Sequence, residues 1–316
     1  MRYIPLSNSI YKRNRSNFMN EMKGNSMAVF NSNDIYPVSA DSELPFEQHR
    51  DIFHLTGIDQ EETILLLYPP SKDDKTREIL FIRKSDNHTK VWEGEKLSKK
   101  QANELSGIDS IYFIDDFKDI LSSIATKVDT FYINKNEHYR ANSPVETRED
   151  RFISWLLKKY PAHNVAKSNP ILQRQRSIKH PDEIDQIKKA CNITRKGFNR
   201  VLEFIKPNVW EYEIEAEFIH EFINSSSKGF AYSPIIASGN DNNVLHYIKN
   251  NKQCKSGELI LMDVGAEYGN YSSDMTRTVP VSGKFSKRQK EIYNAVLRVK
   301  NEATKLLTVG NNWKLF

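Results

Sequence analysis

A chain of 316 residues with 38% apolar content and a net charge of +5 has room for two globular domains of ordinary size. No apolar run approaches the roughly 20 residues of a membrane helix, and basic residues are interleaved with acids, which argues against a membrane span and against a nucleic-acid partner. The N-terminal "MRYIPLSNSIYKRNRSNF" lacks the apolar core of a secretory signal, and Cys191 and Cys254 share no CxxC spacing; both suit a reducing, cytoplasmic setting and exclude a cysteine-based metal site.

In chain order, "MAVF" (27–30), "TILLLYP" (63–69), "EILFIRK" (78–84), "IYFID" (111–115) and "FYIN" (131–134) read as strands from their β-branched and aromatic content. "LSKKQANEL" and "FKDILSSIAT" between them read as helices, so this half is an α/β domain. The helix predicted over 146–160 carries Phe152, Ile153, Leu156 and Leu157 at helical spacing and stops before Pro161. "PAHNVAKSNPILQRQRSIKHPDE" then breaks the pattern with further prolines, and the domain boundary is expected there, giving domains of 1–172 and 173–316. A long helix is expected from Pro181, with Asp182 and Glu183 in the first turn where the macrodipole favours acids. "VWEYEIEAEFIHEFINS" follows as an amphipathic helix on Ile214, Phe218, Ile219, Phe222 and Ile223. Strands and loops run from "SPIIASG" to Pro280, and a final helix opens at "SKRQKEIYNAVL".

The segment "GELILMDVGAEYGNYSSDMTRTVPVSG", starting at Gly257, sets two aspartates into what reads as a buried hairpin. Gly269-Asn270 suits a two-residue turn, since both residues tolerate positive φ. The turn pairs Tyr268 with Tyr271, Gly265 with Asp274 and Asp263 with Thr276. Asp263, Gly265, Asp274 and Thr276 then share one face, with the two aspartates diagonal neighbours, Cβ atoms roughly 7–8 Å apart, and Gly265 leaving open space between them. Two like charges facing one gap repel unless a cation lies between them, and a hard divalent ion with oxygen ligands fits. The competing reading is that one aspartate caps a turn while Arg277 pairs with the other.

His246, between Leu245 and Tyr247 on an expected short strand, is either a hydrogen-bonded core residue or a donor that stabilises charge developing on a substrate carbonyl. "IHEFIN" lacks the second histidine of a zinc helix, so His220 and Glu221 read as a solvated helix face. The chain carries no nucleophile elbow, Walker loop or dinucleotide fingerprint.

"IIASGNDNNVLHY" followed by "GELILMDVGAEYGNYSSDMTRTVPVSGKFSKRQKEIYNAVL" resembles the aminopeptidase P (Xaa-Pro aminopeptidase) branch of the pita-bread metallopeptidases, and "LPFEQHRDIFHLTGIDQEETILLLYP" is similar to the opening of their N-terminal domain. The resemblance implies a creatinase/prolidase-type N-terminal α/β domain followed by a pita-bread (α+β) metallopeptidase domain. It implies two divalent ions, Mn²⁺ first, with Asp263 and Asp274 as ligands, His246 at the substrate and Thr276 orienting a ligand from behind. It also implies release of the N-terminal residue from peptides with proline second, by a homo-oligomer, a dimer or tetramer. The alternatives are an Xaa-Pro dipeptidase (prolidase) and a non-catalytic pita-bread module that binds protein or RNA. The family pattern asks for a further histidine and two glutamates as ligands, and for one more histidine near the leaving group, yet no histidine follows His246. The pita-bread domain is therefore expected to be incomplete at its C-terminal side, inactive as written and prone to aggregate.

Overall fold

A computed structural model describes residues 2–138, 143–312 and 314. The chain divides into two compact units, Pro5–His180, and Pro181 onward together with the first residues to Ile4.

The first unit is built on six strands: β1 (Ser26–Asn31), β2 (Ile64–Leu67), β3 (Glu78–Ile82), β4 (Ser110–Phe113), β5 (Thr130–Ile133) and β6 (Asn164–Lys167). They lie in the order β4-β3-β2-β1-β5-β6. β1, β2 and β3 pair antiparallel, and β4, β5 and β6 join parallel to their neighbours. Successive side chains alternate between the faces. Ala28, Phe30, Leu65 and Leu80 pack with Phe18 of α1 (Asn8–Glu21) and with Ile52 and Leu55 of α2 (Arg50–Thr56). The same core takes in Ala102 of α3 (Lys99–Ser106). Met27, Val29, Leu66 and Phe81 face the other way, against Leu121 of α4 (Phe117–Ala125) and Leu156 of α5 (Arg148–Lys159). Covered on both faces, β2 is buried at every position, which is why it reads as an unbroken apolar run. The proline-bearing stretch from Pro161 holds the edge strand β6 and α6 (Asn169–Ser177), and the units divide between His180 and Pro181.

In the second unit α7 (Pro181–Phe204) and α8 (Glu211–Asn224) pack against one face of a small sheet. Gly197 of α7 lets them approach closely: a Cβ there would lie 2.7 Å from the Phe222 ring and 2.9 Å from that of Phe218. β7 (Gly229–Phe230), β8 (Ile235–Ser238), β9 (Leu259–Val264), β10 (Ala266–Tyr268), β11 (Tyr271–Ser272) and β12 (Met275–Pro280) form two antiparallel sheets, β8-β9-β12 and β11-β10-β7. Ile236, Ile260, Met262 and Val264 point into the core under the helices. The closing helix α9 (Lys287–Leu306) is amphipathic but buries no residue, and Ile292, Val296, Leu297 and Val299 are exposed along it. Among the described residues no helix is long and apolar enough to cross a membrane.

Candidate metal centre

The turn at Gly269-Asn270 sets the register the sequence predicts: Tyr268 opposes Tyr271 and Asp263 opposes Thr276. The hairpin is not a single buried element, however. It breaks at Gly265 into β9/β12 in one sheet and β10/β11 in the other. Asp263 is half-buried, while Asp274 and Thr276 are exposed, because β12 is an edge strand and the helices cover only one face of its sheet. The aspartates thus stand on the open face, where a charge keeps its contact with water.

The space at Gly265 is also not empty. A Cβ at that position would lie 1.9 Å from the Ser273 carbonyl oxygen and 3.1 Å from the Tyr232 ring. Tyr232, in the connection between β7 and β8, is placed by the Ala231 N–H bond to the Gly265 carbonyl at 2.8 Å. Glycine is required at 265 because the Ser273 carbonyl, in the link between β11 and β12, and this aromatic ring already occupy the side-chain direction. The break itself is closed by Ser273 and Thr194, both buried. Their hydroxyls meet at 2.6 Å, and both accept from the Ala266 N–H, at 3.0 and 2.9 Å.

Tyr232 is the residue that the sequence concealed. Its hydroxyl donates to Asp263 Oδ1 at 2.6 Å and approaches Asp274 Oδ1 at 3.1 Å. It thereby gathers two carboxylates whose sequence positions are far from its own. Burial, then the bond to Asp263, raises the phenol well above its ordinary range, so it remains a protonated donor. A phenol has a single proton, so three oxygens converge on one hydrogen. Neither aspartate makes an ion pair among the described residues, and Arg277, opposite Met262, donates instead to the Thr276 carbonyl at 2.8 Å. The arrangement lacks positive charge, and its hard oxygen donors are the kind a divalent cation prefers. Two carboxylates do not complete such an ion's coordination, and among the described residues no group of three or more His, Cys, Asp or Glu could hold a metal.

Thr276 lies directly across from Asp263, but its hydroxyl bonds neither aspartate. His246 departs from expectation: it sits in a turn after the short 3₁₀ segment Gly239–Asn243, exposed and without the apolar surroundings of a core histidine. Its neighbour Tyr247 is the buried residue and packs with Ile235, Ala237 and Leu261 on the face that bears Asp263. Alternation along a strand would bury one of two adjacent residues; a turn does the same here and leaves the histidine outside. His220 is exposed on α8, as a solvated helix face requires.

An α/β domain is thus followed by helices over a one-sided sheet whose open face carries two neighbouring carboxylates. Residues 185–315 match metallopeptidase family M24, and residues 11–132 match the aminopeptidase P N-terminal domain. The chain is 30% identical over 313 residues to the Xaa-Pro aminopeptidase of Escherichia coli, covering 97% of this chain and 70% of that protein. It is also 30% identical to the human Xaa-Pro aminopeptidase 3, with 89% of this chain and 55% of that one covered. The solved aminopeptidase PepP of Pseudomonas aeruginosa superposes with a TM-score of 0.87 at 30% identity, covering 98% of this chain and 70% of that one. A zinc-substituted Escherichia coli aminopeptidase P in complex with product superposes with a TM-score of 0.83 at 30% identity, over 93% of this chain and 67% of that one. The chain belongs to the M24 metallopeptidases, hydrolases, in their Xaa-Pro aminopeptidase branch.

Proposed function

We propose that the chain serves in the metal-dependent release of the N-terminal residue from peptides whose second residue is proline. The observation that carries the reading is the convergence of Asp263 and Asp274 on the Tyr232 hydroxyl, on the open face of an otherwise sealed sheet. In this reading Asp263 and Asp274 are ligands of divalent ions, Mn²⁺ first among them, with the remaining positions filled by donors beyond these two. Such an ion supplies a water acidified for attack and a charge that polarises the scissile carbonyl. The chain's own residues hold and orient. Tyr232 keeps the two carboxylates together, Thr276 lies beside Asp263, and His246 offers its ring to the oxygen that becomes negative. An imide bond to proline carries no N–H, so a site dedicated to it is needed. The protein acts in the cytoplasm as a dimer or tetramer.

Manganese titrated into the chain, followed by electron paramagnetic resonance, tests the site directly, with a Gly-Pro dipeptide and a longer Xaa-Pro peptide as substrates. Binding that Asp263→Asn and Asp274→Asn each abolish, with release from the longer peptide, supports the reading. Cleavage of the dipeptide alone would make the protein a prolidase. The second reading is a pita-bread module that binds without catalysis. Metal binding unchanged in both variants, with no peptide cleaved, would leave that one.

A further inference from the structure

Glu211 is fully buried at the first turn of α8, where no ion pair among the described residues offsets its charge. It is held by donors instead. One carboxylate oxygen accepts from the Ser238 N–H at 2.8 Å and the Ser238 hydroxyl at 2.7 Å. The other accepts from the Tyr247 hydroxyl at 2.8 Å and the Lys252 N–H at 3.0 Å. A carboxylate at a helix N-terminus is also favoured by the macrodipole. The donors are not scattered: Ser238 ends β8, Lys252 lies where the following loop returns, and Tyr247 lies between them. One side chain therefore ties both ends and the middle of the loop that carries His246. The return leg is fixed again by the Glu211 N–H bond to the Lys252 carbonyl at 2.9 Å, and Asn250 reaches Glu215 of the same helix at 2.8 Å.

We infer that Glu211 is a positioning residue that clasps the 239–251 loop and, through Tyr247, fixes the backbone that carries His246. Tyr247 is the pivot. Its ring packs on Ile235 and Ala237, its hydroxyl is fixed on Glu211, and His246 precedes it directly. Burial followed by the Glu211 bond raises the Tyr247 phenol, which keeps it a donor. A glutamine at 211 would present an amide N–H₂ where the Lys252 N–H now points, donor against donor, and would open the clasp at its return end. The consequence for catalysis rests on the reading of His246 given above, whereas the clasp does not.

The test uses the whole chain labelled with ¹³C at the histidine rings, in which His246→Asn identifies the His246 signal among the eight histidines. Amide exchange is followed in parallel. Glu211→Gln and Tyr247→Phe should each shift or broaden the His246 signal alone, and speed exchange across 239–252 by about tenfold while β9 keeps its protection. An unmoved His246 signal in both variants overturns the inference, as does faster exchange spread evenly over the second unit, which would make Glu211 a stabiliser of the fold and nothing more. Should Glu211→Gln fail to fold, Tyr247→Phe decides alone, since its ring still packs. Peptide release plays no part in the readout. A chain that clasps the loop but cleaves nothing removes the peptidase reading and leaves the clasp, and a cleaving chain with an unmoved His246 does the reverse.

Discussion

The six-stranded sheet of the first unit and the β8-β9-β12 sheet of the second are made from similar residues and put to opposite uses. Helices cover the first on both faces, so Val29, Phe30, Leu65, Leu66 and Phe81 are all buried, and the charge at the start of β3, Glu78, is paired with Arg15. The second is covered on one face only, so alternate positions of β9 are free for Asp263 while Ile260, Met262 and Val264 anchor the strand. A one-sided sheet can place carboxylates on a rigid frame without burying them, and a two-sided one cannot.

Core truncation breaks the comparison most forcefully if it is wrong. Phe81→Ala removes a ring that stacks edge-on against Phe117 with centroids 5.2 Å apart, and should cost about 3–5 kcal/mol in urea unfolding. Asp274→Ala on the open face should stay within about 0.5 kcal/mol of the parent. Comparable losses from the two would mean that the aspartate face is part of the core.

Gly265→Ala comes next, because the change falls where the open face and the packed backbone meet. The added methyl collides with the Ser273 carbonyl, and displacing the link between β11 and β12 should cost about 1–3 kcal/mol. The same shift pushes the Tyr232 ring off the aspartates, so metal binding should fall along with stability. Stability lost with manganese affinity intact would separate Gly265 from the site.

Those two residues also mark where the sequence stops speaking. Strands of the sealed sheet are plain in the chain, since continuous apolar runs such as "ILLL" have one structural reading once flanked by breaks. The hairpin register follows from one Gly-Asn turn, which brings Asp263 opposite Thr276 correctly. Strand β6 is not legible: a polar edge segment such as "NVAK" owes its conformation to the sheet beside it, not to its own pattern. Tyr232 and Glu211 are hidden for a further reason. Each acts on partners tens of residues away, through a hydroxyl or a carboxylate that has no period and no neighbour in the chain. The stretch around His246 reads wrongly as a strand because alternation over three residues looks the same in a strand and a turn.

Tyr232→Phe keeps the ring over Gly265 and removes only the hydroxyl shared by the two aspartates. Stability should drop by about 1 kcal/mol, the ordinary value of one such bond, and manganese affinity should fall because the carboxylates are no longer held together. A Tyr232→Phe variant that binds manganese as the parent does would show that the frame alone, and not the tyrosine, sets the spacing.

The smallest effect belongs to the first unit and depends on pH. Burial opposes ionisation of Glu61, but bonds from Lys96 and Arg83 outweigh it and hold its carboxyl below the usual range. A carboxyl depressed in the folded state stabilises above its unfolded pKa of about 4.3, and loses that contribution as the pH falls through the folded value. Glu61→Gln should therefore cost about 1 kcal/mol at pH 7 and progressively less below pH 4, so that the two unfolding curves converge in acid. A gap that stays constant with pH would mean that Glu61 acts by packing alone. In that case the bonds from Lys96 and Arg83 would add nothing measurable to the stability of the first unit.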